Sequence, residues 1–332
     1  MSTMIKRGIL IGLLLLIVSG ITIYFTIDLD SLATLGTFNI TSLLLAILAL
    51  ALGMYFDGLR LQRLVRMGGY SLSLIAILRV IFGNYFMAML TPGASGGAVA
   101  QALILRSYHV PIGKAAPIVL VRTVFSILFL IVMLPIILVT EPIEVPYITN
   151  TQLLGISIFV VISTFLGMYL LQTRLMKRLV TWICKMMKKG NPKGWLIKLD
   201  EFNGGLSLLY ANPMQSFIVF IESALSLLFL YAIAPALMYA FTSDISIVEI
   251  LNRMILLNLI LYFAPTPGGT GVAEGLFVYL FASFVPIGTV GLVAVAWRIV
   301  AEYIPFFVGM YSVFTLYGQH IASSVSTSSE EV

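Results

Sequence analysis

Long apolar runs separated by short polar clusters make up most of the chain. The runs at 8–27, 40–57, 113–139, 151–171, 213–241 and 289–316 each hold roughly 20 residues or more, and about 20 helical residues at about 1.5 Å rise cross a hydrocarbon core of about 30 Å. They predict spanning α-helices. Two further apolar stretches, 71–109 and 246–285, are interrupted midway by glycine-rich turns. The first turn is Thr91-Pro92-Gly93-Ala94-Ser95-Gly96-Gly97 and the second Thr266-Pro267-Gly268-Gly269-Thr270-Gly271. Proline lacks an N–H and glycine costs about 1 kcal/mol in a helix interior, so each stretch is predicted to break into a hairpin of two short arms.

The two stretches are copies of one device. Each turn is preceded by an Arg-x4-Asn pair, Arg79 with Asn84 and Arg253 with Asn258, and followed by Val-Pro-Ile-Gly. Thr91 to Val110 and Thr266 to Val285 are equal spacings of 19 residues. An arginine then recurs in each following apolar run, Arg122 and Arg298.

Charge orients the runs. Lys6, Arg7, Arg60, Arg63, Arg66, Arg106, Lys114 and the bases from Arg174 to Lys198 fall in segments assigned to the cytoplasm by the positive-inside bias. Asp28, Asp30, Glu141, Glu144, Asp244 and Glu249 mark the outer connections. The fit makes the first glycine-rich unit start and end inside, and the second start and end outside. The expected fold is therefore an all-α polytopic membrane protein of two inverted-topology repeats, 8–140 and 151–318. It would have about six full spans plus two broken or re-entrant helical hairpins, a plan common in secondary transporters. Both termini are expected in the cytoplasm and the protein in the cell membrane. Residues 172–212 read as a basic amphipathic loop on the inner leaflet, and 323–332 as a disordered tail.

Composition agrees with this class and excludes others. Of 332 residues, 60% are hydrophobic and 10% charged, against about 25% charged in soluble chains. The sequence pI is near 9.2, but the bases follow the membrane rather than a soluble face, so no nucleic acid is expected. Cys184 stands alone, and His109 and His320 lie far apart, so no metal or other cofactor is expected. Glu222, Glu274 and Glu302 are single acids in apolar runs, without the spacings of a catalytic triad or metal site, so enzyme chemistry is not expected.

Of the 19 Lys and Arg, the cytoplasmic segments leave Arg79, Arg122, Arg253 and Arg298, the repeat-paired arginines. A charge at membrane depth costs roughly 2.5–3.5 kcal/mol on insertion scales and must face a partner. One reading is structural: Glu302 lies four residues after Arg298 on one helix face, and Glu274 or Glu222 could serve the others. The other is a phosphate-bearing ligand, held by arginine forks and by the free N–H groups of the helix after each turn. On that reading the binding residues are Arg79, Asn84, Pro92, Gly93, Ser95, Gly96, Gly97, Gln101 and Arg122 from the first half. The second half contributes Arg253, Asn258, Thr266, Pro267, Gly268, Gly269, Thr270, Glu274, Arg298 and Glu302. Asn84 and Asn258 could equally satisfy backbone groups freed by the breaks.

Several motifs here resemble a known family. They are Arg60-Leu61-Gln62-Arg63 before Gly68-Gly69, Pro92-Gly93 with Gly96-Gly97, Val121-Arg122, and Glu201-Phe202 with Gly205-Leu206. The most specific is Pro265-Thr266-Pro267-Gly268-Gly269-Thr270-Gly271-Val272-Ala273-Glu274. Together these resemble the lysylphosphatidylglycerol synthase transmembrane region, also called the flippase-like or UPF0104 membrane family. The resemblance implies a polytopic domain that in some members moves aminoacylated phosphatidylglycerol across the membrane, and in others accompanies polyprenyl-phosphate sugar chemistry. Where many relatives carry an acid and an arginine after the first Gly-Gly, this chain has Ala98 and Gln101, which leaves the headgroup open. No aminoacyl-transferase sequence follows the last span in these residues, so synthase activity is not expected. The expected function is binding and translocation of an anionic phospholipid or polyprenyl-phosphate lipid within the bilayer, with a separate soluble lipid-modifying enzyme as a possible partner. The alternative is a membrane-embedded enzyme subunit acting with such machinery, and a third reading is a non-transporting scaffold.

Overall fold

The computed structural model describes residues 39–91, 93, 95–140, 149–171, 178, 181–182, 196–197, 200, 203–204, 207, 212–242 and 244–316. The expected span 8–27, nearly all of the 172–212 loop and the 323–332 tail lie outside them, as does Pro92. Every regular element among the described residues is helical. In chain order these are α1 (Ile40–Met67), α2 (Leu74–Leu90), α3 (Ser95–Ser107), α4 (Ile112–Thr140), α5 (Asn150–Leu171), α6 (Pro213–Tyr231), α7 (Ile233–Met238), α8 (Ile247–Leu261) and α9 (Val272–Phe281). A last helix begins as α10 (Val290–Arg298), widens into a π turn at Ile299–Tyr303, and runs on to Leu316.

Five helical stretches among the described residues are long and apolar enough to cross a membrane: Ile40–Met67, Ile112–Thr140, Asn150–Gly167, Pro213–Met238 and Val290–Leu316. This is a multi-pass helical membrane protein. The two glycine-rich stretches are hairpins with arms of 17 and 13 residues, α2 and α3, and of 15 and 10 residues, α8 and α9. At about 1.5 Å per residue no arm spans the roughly 30 Å core.

One expected boundary is wrong. The run 40–57 does not end near Asp57; α1 continues for ten residues to Met67. Asp57 and Arg60 are 1% and 5% exposed, so the helix carries them in its packed face rather than releasing them into a loop. Among the described residues Arg60 is thus a third buried arginine beside Arg122 and Arg298, which subtraction of loop bases had hidden.

The described chain divides into two compact units. The first comprises Met1–Gly58, Leu72–His109 and Leu225–Val332, and the second Leu59–Ser71 and Val110–Ala224. Both hairpins belong to the first unit. There the last helix crosses α2 at Gly309: a Cβ added at that position would overlap the carbonyl oxygen of Phe82 and stand 3.0 Å from the Phe86 Cβ. Phe86 and Phe306 rings pack at 5.3 Å, and Phe277 stacks on Trp297 at 5.0 Å. Removing these apolar faces from lipid gains no hydrophobic energy, so close backbone approach and van der Waals fit hold the helices instead. In the second unit α5 keeps Phe159, Ile162, Phe165 and Leu166 outward, the expected face toward acyl chains.

Candidate functional site

The hairpins are built alike at their open ends. Ser73 caps α2, accepting from the N–H of Ala76 at 3.3 Å, and Ser246 caps α8, accepting from Glu249 at 3.5 Å. A serine oxygen there replaces one of the orphan N–H partners of a helix start. Arg79 then donates to the Tyr108 hydroxyl at 2.9 Å, and Arg253 to the Leu280 carbonyl at 2.7 Å while lying 4.5 Å over the Phe284 ring. Each arginine ties the start of its first arm to the end of its second. Arg79 precedes Thr91 by 12 residues, about 18 Å of helix, so these two arginines are not brought to the turns.

The turns themselves are fastened differently. In the first, the Thr91 hydroxyl donates to Met87 O and accepts from Gly96 N–H, both at 2.8 Å. Gln101 donates to Asn84 Oδ1 at 2.7 Å across the arms, and Gly97 lies flat against that same Asn84. A Cβ on Gly96 would meet Thr91 Oγ1 at 2.8 Å and Met87 O at 3.0 Å. The Gly96-Gly97 pair therefore lets the arms pack, its space being taken by the chain. Gly93, with φ of +59° and nothing within 4 Å of a built Cβ, is the open position of this turn, and Ser95 beside it is exposed.

The second turn uses charge. The N–H of Gly269 donates to Thr266 O, and Thr270 donates through both N–H and hydroxyl to Pro267 O. Gly268, Gly269 and Gly271 have φ between +58° and +83°, a region that favours glycine. Glu274 accepts from Gly271 N–H at 2.7 Å with one oxygen and from Arg298 Nε at 2.9 Å with the other. Arg298 also donates to Gly268 O at 3.0 Å, approaches Thr270 Oγ1 at 3.4 Å, and pairs with Glu302. Arg298 is 1% exposed and Glu274 3%. The Thr266 hydroxyl is shut from solvent and has no hydrogen-bond partner among the described residues. Asn258 donates to Met254 O at 2.9 Å on its own helix, a carbonyl inside α8 rather than one freed at the break.

The turns meet. A Cβ on Gly268 would come within 2.9 Å of Met89 Cγ and 3.4 Å of the Met89 backbone, two residues before Thr91.

Arg122 belongs to the second unit and is 6% exposed on α4. Ser126, one turn on, donates to Arg122 O and accepts from Arg60 Nη1 at 2.8 Å, joining two buried arginines through one hydroxyl. In the same unit Glu222 binds Arg63, not one of the repeat arginines: Arg63 Nη2 stands 2.7 Å from Oε1, Nε donates to both oxygens at 3.1 Å, and Nη1 reaches Gln215 at 2.8 Å. Sequence reading missed Arg60 and Arg63 as site residues. The available signal was the three-residue spacing Asp57, Arg60, Arg63, one helix face repeated.

Residues 8–309 match the family model described as the lysylphosphatidylglycerol synthase transmembrane region. The chain belongs to that family. It is also similar to a UPF0104 membrane protein of Archaeoglobus fulgidus, at 22% identity over 267 residues, covering 77% of this chain and 80% of that one. In this member of the lysylphosphatidylglycerol synthase transmembrane family, the run most specific to the resemblance, Pro265 to Glu274, is the turn that Arg298 holds.

Proposed function

We propose that the protein is a flippase-like transporter that binds and translocates a lipid with an anionic, phosphate-bearing headgroup. It works in the cell membrane through two inverted repeats, with both termini cytoplasmic. The observation that carries this reading is the meeting of two hairpins, each too short to cross the bilayer, at glycine-rich turns lined by buried polar groups. Such breaks are tolerated at membrane depth only where protein or a polar cavity satisfies the backbone. The matching Ser caps and arginine ties support descent of the hairpins from one repeated unit.

Phosphate recognition falls to Arg122 with Arg60. Both are buried on spanning helices, Ser126 links the Arg60 guanidinium to the Arg122 backbone carbonyl, and arginine forks match phosphate oxygens in pairs. Arg298 faces two carboxylates and the Gly268 carbonyl. It fastens the second turn.

The test is movement of fluorescent phosphatidylglycerol or another anionic lipid in proteoliposomes of the full chain. Wild type moves the lipid, Arg122→Ala loses at least tenfold in rate, and Arg122→Lys recovers only part, lacking the fork. Wild-type vesicles that leave every anionic lipid tried on its original side would sink the transport reading.

A further inference from the structure

The second turn holds one more acid than base. Arg298 faces both Glu274 and Glu302, so with all three ionised the cluster carries an excess negative charge inside a spanning helix bundle. The two acids are not equivalent. Glu274 has both oxygens committed, one to Arg298 and one to Gly271 N–H, and its side chain is 4% exposed. Glu302 has a side chain one-quarter exposed and sits in the π turn, closed by the Ile304 N–H donating to Ile299 O. A π turn is a costly, rare widening that recurs at functional sites, because it shifts the register of the side chains that follow.

We propose that Glu302 is a proton-binding site, exchanging one proton with water while Arg298 and Glu274 stay fixed. Proton uptake turns the carboxylate into the acid and makes the cluster neutral; release returns the negative charge. Among the described residues, the neighbouring elements supply no second base to cancel it. Helix α9 contributes Glu274, α10 contributes Arg298, the π turn adds Tyr303 beside Glu302, and α7 has no titratable side chain. On α8, Arg253 is committed to Leu280 O and Glu249 lies exposed at the far end; on α2, Arg79 is committed to Tyr108. An independent polar feature is the solvent-excluded Thr266 hydroxyl, unpartnered among the described residues, in the turn whose Gly268 carbonyl Arg298 holds. Coupling of this proton to lipid movement rests on the transport reading above; the proton site itself does not.

Infrared difference spectra of the full chain in nanodiscs, titrated from mildly alkaline to mildly acidic, test the site directly. A carboxylic-acid carbonyl band should grow with acidity, shift in D2O, vanish in Glu302→Gln and persist at a shifted position in Glu302→Asp. No titrating band in wild type, or a band that survives Glu302→Gln, overturns the proposal. So does a wild-type band abolished at fixed pH by sodium but not by choline, which would assign the site to a metal cation. In sealed proteoliposomes, a pH difference of one unit should accumulate lipid about tenfold across the bilayer for one proton per lipid, and Glu302→Gln should reduce that ratio to about one. An intact Glu302 band in vesicles that move no lipid would uphold the proton site and refute the transport reading instead.

Discussion

Arg298→Ala is expected to be among the most damaging single substitutions in the first unit. It deletes the guanidinium that pairs with Glu274 and Glu302 and that donates to Gly268 O, leaving Glu274 3% exposed without a counter-charge. Breaking one partner out of a buried pair costs about 3–5 kcal/mol. Against a total stability of about 5–15 kcal/mol, that is roughly a fifth or more. At about 2–4 °C per kcal/mol for domains of 150–250 residues, the midpoint of thermal unfolding in detergent should fall by roughly 10 °C. Arg298→Lys should recover only part, because a single ammonium cannot serve Glu274, Glu302 and a carbonyl at once. The triple variant Arg298→Leu, Glu274→Gln, Glu302→Gln, which keeps an acceptor for Gly271 N–H and removes every charge, should be more stable than Arg298→Ala. A midpoint for Arg298→Ala within a degree or two of wild type, or a triple variant worse than the single one, would refute the reasoning.

Two further outcomes follow from packing and pairing. Gly309→Ala places a methyl group on the Phe82 carbonyl, which no rotamer change relieves, so it should cost about 1–3 kcal/mol in unfolding measurements, whereas Gly113→Ala, with open space beside it, should be neutral within experimental scatter. A double-mutant cycle on Arg63→Ala and Glu222→Ala should give a coupling energy of about 1–2 kcal/mol; Arg63 is a third exposed, so solvent screens the pair below the value of a fully buried one.

The hydropathy pattern located the spanning helices within the described residues to within three residues, except at α1. It failed there because Asp57, Arg60 and Arg63 look like a loop in sequence but are paired in space. Hydropathy scores a charge by its type, and cannot see that Glu222, 159 residues away, neutralises Arg63. The turn at 266–271 was legible because glycine and proline act locally, and the Arg298–Glu302 pair because four residues is one helical turn. The role of Gly96-Gly97 was not legible. Their neighbours are Thr91, Met87 and Asn84, and only the folded hairpin shows that the chain fills the space where a ligand was expected.

The unequal fastening of the two turns bears on where such a machine rests between cycles. The first is held by the neutral Thr91 and Asn84–Gln101 bonds, the second by a charged cluster that anchors Gly268 and Gly271. Two identical hairpins would idle with neither orientation preferred. For a transporter of the kind proposed, a bias of about 1.4 kcal/mol toward the orientation that keeps the charged turn closed would leave roughly nine molecules in ten waiting on one side, before any lipid arrives. The duplicated gene segment would then supply the two doors, and its later divergence the spring that decides which stands shut.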